Sequence, residues 1–391
     1  MLEFKLKTNV VLGAGVSNEL GTRLKNFMFK KIGLIIDANV RNHVETQAAI
    51  KSLEAEGCEY QIFVSDAVEP DYAYLEEFKK KVLNQTYDCL VGIGGGSILD
   101  LTKGIATLVS NPGEAISFRG FPKLKNRPLP VVAMPTTAGT GSEATYFAVF
   151  TDSVQKKKLG INSELNFPVL AIIDPLFTVG CPKSVTVSSG VDALVHTLES
   201  YVAKKHTVAS RMYSKEAFRL LYNNLSRVLD DPRNVEIRSE LALGAYLAAV
   251  ALMNSGSGPA GAFSYPLGVY YKVPHGYAGA IFLHALTEFN VEKEYRDYAD
   301  LYDLIYDSKK SLSVKEKNLA FSDKIGALME KLQVPQTLEG YDLREKDIEF
   351  LAGQYDGLKA AIDQNAINIT NEDARAIVNK SLKKRLDYAR I

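Results

Sequence analysis

The sequence has no excess of either charge: Lys+Arg and Asp+Glu number 46 each in 391 residues. Any global electrostatic reason to bind nucleic acid or an anionic membrane is therefore missing. The one basic cluster, Lys156 to Lys158, is too short to supply it. Cysteine is scarce. Cys58, Cys89 and Cys181 are odd in number and widely spaced, which fits neither a disulfide framework nor a thiolate zinc site and points to a reducing cytoplasm. Long hydrophobic runs are also absent. The longest, Leu241 to Met253, falls short of the roughly 20 residues a membrane span requires. Its apolar residues surround the whole helix, so it reads as the buried central helix of an α-helical domain. The N-terminus, MLEFKLKTNVVLGAG, lacks the apolar core of a signal peptide and reads as a short strand followed by a glycine turn. No internal repeat or low-complexity tract is present. The remaining composition, 46% hydrophobic and 24% charged, is ordinary for a soluble globular protein long enough for two domains.

From about residue 30 to 175, short β-type runs alternate with amphipathic or polar stretches: KIGLIID, YQIFV, DCLVGIGGG, LPVVAMPTT and VLAIIDP. That alternation predicts a layered α/β domain with a mostly parallel sheet. Pro175 and Pro182 bracket a loop, FTVGC, and from about Ser184 the chain reads as helix after helix. The expected division is an α/β domain over 1–180 and an all-helical domain over 181–391.

The helical half carries VDALVHTLESY, Val191 to Tyr201, and KVPHG, Lys272 to Gly276. Asp192 and His196 are four residues apart, which on an α-helix puts both side chains on one face. An oxygen and an imidazole nitrogen so placed can converge on one cation, and His275 can complete the set. Asp, His and His suit a divalent first-row metal with an open position for substrate or water. The plainer alternative makes Asp192 a helix cap and His196 a core histidine.

In the α/β half, DCLVGIGGGSILDLTKGIA runs from a buried strand through Gly92, Gly94, Gly95, Gly96 and Ser97 into a helix expected near Ile98. Successive glycines let backbone N–H groups approach an anion, and the helix N-terminus adds partial positive charge. The stretch reads as a pyrophosphate cradle, or else as a tight turn with Ser97 as N-cap. Asp37 ends KIGLIID, where it can accept from an adenosine ribose or cap a helix starting near Ala38. A carboxylate there repels a 2′-phosphate and favours NAD over NADP. PTTAGTGSEAT, Pro135 to Thr145, supplies Thr136, Thr137, Thr140 and Ser142 as donors to phosphate or nicotinamide. It follows an apolar strand, at the sheet edge where open α/β folds bind ligands.

Together these segments resemble the iron-containing (group III) alcohol dehydrogenase family, within the superfamily that includes glycerol dehydrogenase and dehydroquinate synthase. The GGGSxxDxxK pattern stands as Gly94, Gly95, Gly96, Ser97, Asp100 and Lys103; TTxGTGSE as Thr136, Thr137, Gly139, Thr140, Gly141, Ser142 and Glu143. DAxxHxxExY stands as Asp192, Ala193, His196, Glu199 and Tyr201, and PHG as Pro274, His275 and Gly276. The segment DQNAINITNEDARAIVNKSL is similar to the family's closing helices. The resemblance implies an N-terminal nucleotide-binding α/β domain, a C-terminal all-α metal domain and a cofactor between them. Asp37, Gly94 to Ser97, Asp100, Thr136, Thr137, Thr140 and Ser142 would face NAD; Asp192, His196 and His275 would hold iron or zinc.

Two positions depart from the family pattern. Where relatives carry a further metal-binding histidine this chain has Gly261, and where they carry a nicotinamide-proximal histidine it has Tyr265. A three-ligand site remains chemically adequate; a branch that has abandoned the metal is the alternative. Tyr265 either donates a proton, its phenol tuned by the metal or by Lys272, or packs on the nicotinamide. The expected activity is NAD(P)-dependent interconversion of a small alcohol with an aldehyde or ketone. The departures suggest a specialised substrate, anionic or sugar-derived, with Lys157, Lys158 and Lys272 available to an anion. A lyase or cyclase using NAD transiently, or a silent NAD-binding relative, are the rivals. A homodimer is expected from the family.

Overall fold

The structure is a computed structural model that describes residues 3–335, 341 and 343–387. The chain divides into two compact units, Leu6–Pro182 with Arg233–Ala242, and Lys183–Pro232 with Leu243–Ile391 and Met1–Lys5.

The first unit holds β1 (Asn9–Leu12), β2 (Lys31–Asp37), β3 (Glu59–Ser65), β4 (Cys89–Gly94), β5 (Val131–Pro135), a two-strand hairpin of β6 (Thr151–Asp152) and β7 (Lys157–Lys158), and β8 (Leu170–Ile173). Six of these form one sheet in the order β1-β8-β5-β4-β2-β3, every pair parallel. All five strands expected from the apolar runs are present. Those runs are continuous rather than alternating because both sheet faces are covered. Leu34, Ile36, Val91, Ile93, Met134 and Ile172 pack on one face. Ile35, Leu90 and Val131 pack on the other, with Phe78, Ile105 and Phe150. Register matters more for function. Ile93 is opposite Ile36 and Met134, so Asp37, Gly94 and Pro135 end their strands along one edge.

Two local expectations change. The helix after the glycine loop begins at Gly96 with Gly95 as N-cap, not near Ile98. Extended Gly95 hands the chain into the helix, which leaves Ser97 inside the first turn, where its Oγ accepts the Glu69 N–H at 3.1 Å. The FTVGC stretch, expected as loop, gives its first three residues to the short helix Leu176–Val179.

The second unit is helical. Lys183–Val202 packs against Val208–Leu225 and against His275–Glu292, and the latter packs against Pro259–Tyr271. The run read as a central helix lies within Val235–Ser255, with Ala248, Val250 and Ala251 fully buried. Tyr201 anchors the end of Lys183–Val202 by donating to the Asp297 carbonyl at 3.0 Å. Among the described residues, no helix is long and apolar enough to cross a membrane.

Candidate metal centre and dinucleotide-binding loops

Asp192 and His196 sit in the middle of Lys183–Val202, so Asp192 is not a helix cap. Its buried carboxylate oxygen Oδ1 lies 3.6 Å from His196 Nε2 and 3.9 Å from His275 Nε2. Neither separation is a hydrogen bond. Two ligand atoms bound tetrahedrally at about 2.1 Å from one ion stand about 3.4 Å apart, close to what is seen. The three donor atoms lie within 4.8 Å of one another, and among the described residues no other histidine, cysteine or carboxylate joins the group. His196 also carries a buried Nδ1 with no hydrogen-bond partner among the described residues. An ordinary core histidine avoids that cost, about 1–3 kcal/mol. Carboxylate plus two imidazoles fits divalent iron or zinc.

His275 is the first residue of its helix. It reaches Asp192 because the next residue has no side chain: a Cβ on Gly276 would stand 2.0 Å from the Ser188 carbonyl oxygen. Ser188 is one turn before Asp192, so the two helices meet at the ligands. The His275 Nδ1 lies 3.2 Å from Ser264 Oγ, and the ring stacks on Tyr265 with centroids 5.7 Å apart and planes at 12°. Lys272 is exposed and closes the helix Pro259–Tyr271 in the left-handed region at φ 59°. Seven residues of helical rise put its Cα about 10 Å from that of Tyr265.

Gly261 donates its N–H to Glu199 Oε1 at 2.9 Å, and Gly258 donates to Glu199 Oε2 at the same distance. Burial pushes the Glu199 carboxyl up, against the pull of these N–H groups and of His196.

At the sheet edge of the first unit, register brings the other candidates together. A Cβ on Gly94 would come within 3.1 Å of the Asp37 Cβ, and Thr136 N–H donates to the Gly94 carbonyl at 3.0 Å. Thr137 lies 3.5 Å from where a Gly95 Cβ would be, and Thr140 2.6 Å from a Gly96 Cβ. The glycine loop and the threonine loop therefore lie on each other. Asp37 does not cap a helix at Ala38; it accepts from the Asn39 N–H and Nδ2 at 2.9 and 3.0 Å, and the next helix begins at Val44.

Asp100 and Ser142 turn inward. Ser142 Oγ donates to Asp100 Oδ1 at 2.5 Å, and the Val149 N–H to Oδ2 at 2.9 Å. Lys103, fully buried, lies 3.1 Å from Asp100 and donates to the carbonyls of Ser142, Thr145 and Phe147. Burial lowers the Lys103 ammonium's pKa, opposed by Asp100. Burial raises the neighbouring Glu143 carboxyl to about 7. These groups brace the threonine loop from behind. Of the lysines offered to an anion, Lys158 is paired with Glu69 at 2.7 Å, and Lys157 is exposed on the hairpin.

The motif patterns named Glu199, Lys103 and Glu143 without giving them work, and Ser264 drew no attention. Spacing offered one signal: Glu199 follows His196 by three residues and shares its helix face.

The family profile described as iron-containing alcohol dehydrogenase matches residues 7–175, and the profile of the C-terminal region of the Fe-containing alcohol dehydrogenase family matches 186–382. The chain is 31% identical to NAD-dependent methanol dehydrogenase of Bacillus methanolicus, over 90% of this chain and 92% of that one. It is 26% identical to sulfoacetaldehyde reductase of Bilophila wadsworthia, over 96% and 97%. The crystal structure of a 1,3-propanediol oxidoreductase superimposes with a TM-score of 0.92 at 27% identity, covering 98% of this chain and 100% of the other. The chain therefore belongs to the iron-containing alcohol dehydrogenase family and is an NAD(P)-dependent oxidoreductase acting on CH–OH groups.

Proposed function

We propose that the chain interconverts a small alcohol with its aldehyde or ketone using NAD, with a divalent metal, iron or zinc, held by Asp192, His196 and His275. The observation that carries this is the convergence of Asp192 Oδ1 with His196 Nε2 and His275 Nε2 at 3.6 and 3.9 Å. When bound, such an ion supplies Lewis acidity to the substrate's oxygen, and NAD supplies the hydride chemistry. The remaining work falls to the chain. Asp192 contributes the negative charge that makes the site selective for a cation, and its burial keeps water from competing for that charge. Gly94, Gly95, Gly96 and Ser97 offer close backbone approach at a helix N-terminus for the pyrophosphate. Thr136, Thr137 and Thr140 are the donors beside it. Asp37 is assigned to the ribose, where its carboxylate disfavours a 2′-phosphate and so selects NAD over NADP. Asp100 and Ser142 are assigned to bracing the loop, since each uses the other as a partner. Tyr265 is assigned to fixing and screening the His275 ring.

An anionic substrate is supported by the likeness to sulfoacetaldehyde reductase. Lys272 and Lys157 are the exposed cations available for it, Lys158 being engaged by Glu69. A homodimer is supported by the position of β1 at an edge of the sheet, and a reducing compartment by three cysteines outside any disulfide.

Metal content of protein purified without chelator tests the reading, beside Asp192→Ala and His275→Ala. Near-stoichiometric iron or zinc, lost in both variants, together with steady NADH formation on an alcohol panel, is the expected result. Metal-free protein that stays so after reconstitution overturns the ligand assignment. Absence of net NADH turnover on alcohols and aldehydes overturns the activity.

A further inference from the structure

The helical unit buries a carboxylate that has no part in the reading above. Glu199 is 4% exposed. It lies three residues after His196 and seven after Asp192 on one helix, so all three share a face. Its partners are the N–H groups of Gly258 and Gly261, both at 2.9 Å, which are the N-cap and third residue of the helix Pro259–Tyr271. Gly258 has no side chain with which to cap, and Pro259 has no N–H to satisfy. Glu199 therefore caps that helix from a different one. Both glycines make room for it: a Cβ at 258 would meet the carboxyl carbon at 3.0 Å, and a Cβ at 261 would meet Oε2 at 3.1 Å.

The capped helix carries Ser264, which contacts His275 on the next helix. Ser264 Oγ lies 2.6 Å from the Gly261 carbonyl oxygen and 3.2 Å from His275 Nδ1. A serine hydroxyl has one proton, and the shorter contact, to an oxygen that can only accept, takes it. Ser264 Oγ must then accept from the imidazole, which puts the proton of neutral His275 on Nδ1. The lone pair is left on Nε2, the nitrogen that faces Asp192. A ligand histidine's second nitrogen is what fixes its tautomer and ring orientation.

We propose that Glu199 is a positioning residue for His275, acting through the Gly261 peptide and Ser264 to hold the imidazole in the Nδ1–H form with Nε2 toward Asp192. Its value to the enzyme rests on the metal reading above, but the tautomer itself does not. Glu199 and Ser264 thereby join the two ligand-bearing helices into one device. Residues on Lys183–Val202 both bind the cation and, through the cap, set the ligand contributed by another helix.

The test is imidazole nitrogen NMR on the metal-free, full-length protein, with the His275 signals assigned by His275→Asn. Zinc affinity is measured by chelator competition on the same samples, and melting temperature monitors folding. The wild type is expected to show His275 as the Nδ1–H tautomer. Ser264→Ala, which removes one buried oxygen and little else, is expected to lose that preference and to bind zinc roughly 10- to 100-fold more weakly. Glu199→Gln, which keeps one acceptor oxygen, is expected to retain part of both properties. An Nε2–H tautomer in the wild type, or an unchanged Nδ1–H tautomer in Ser264→Ala, overturns the relay whatever the zinc result. The expected tautomer with no zinc binding in the wild type supports the relay and removes the metal reading instead.

Discussion

Gly276 and Ser188 meet where the two ligand-bearing helices cross, with room for no side chain: a Cβ would stand 2.0 Å from the Ser188 carbonyl oxygen. Backbone on that side cannot yield as a flexible side chain would. Gly276→Ala should therefore push His275–Glu292 away from Lys183–Val202 and cost about 3 kcal/mol of stability. Because His275 is the adjacent residue, zinc affinity should fall by more than the loss of stability accounts for. Thermal melts and chelator competition on the same samples separate the two effects. Wild-type affinity in a folded Gly276→Ala protein contradicts the geometric argument.

Much of this architecture was legible because burial writes itself into the sequence. Strands covered on both faces need continuous apolar runs, so KIGLIID and DCLVGIGGG announced β2 and β4 directly. The Asp192 and His196 pair was equally legible, since four-residue spacing on a helix has one meaning for direction. What spacing cannot convey is which polar groups end up facing inward. Ser142 and Asp100 were expected to face NAD from their motifs alone, and no motif conveys that they also satisfy each other and the Val149 N–H. Ser264 carries no motif at all; its contact with His275 exists only through the packing of two helices.

Gly96 and Thr140 are matched in a similar way. A Cβ at 96 would lie 2.6 Å from both Thr140 Oγ1 and Cγ2, so Gly96→Ala must displace the threonine loop at the proposed pyrophosphate site. We expect the KM for NAD to rise about tenfold, equivalent to about 1.4 kcal/mol, with zinc content unchanged. Thr140→Ala removes the two clashing atoms. The double variant should consequently lose less than the sum of the single variants, a coupling that a double-mutant cycle on KM measures. Strict additivity means the two residues do not meet as described.

Asp37 ends β2 beside Gly94, and its carboxylate is held by the Asn39 N–H and side-chain amide. Asp37→Ser keeps an oxygen for the Asn39 N–H but removes the negative charge. Relief of repulsion toward a 2′-phosphate should shift the ratio of kcat/KM for NADP over NAD upward by about tenfold or more, each factor of ten being about 1.4 kcal/mol. Steady-state kinetics with both cofactors decides it. A ratio that does not move removes Asp37 from the ribose site.

Glu143 should make the stability of the first unit depend on pH in a direction opposite to that of an ordinary paired carboxylate. Its side chain is buried behind the threonine loop, and burial raises its carboxyl to about 7, with Asp100 pushing the same way and the Glu143 N–H and Lys103 opposing. The folded protein thus binds this proton more tightly than the unfolded chain, whose glutamate titrates near 4.5. Stability from this group is complete below the unfolded value and is lost as pH rises through the folded one. Between about pH 4.5 and 7 the loss should approach about 3 kcal/mol. Glu143→Gln mimics the protonated form, so its melting temperature should not show this fall across that window. At neutral pH the variant should melt above the wild type, and at about pH 4, below the unfolded value, the two should nearly coincide. Lys103 supplies the physical check. If its ammonium instead held Glu143 ionised in the folded state, glutamine would be destabilising at neutral pH and the difference between the curves would reverse.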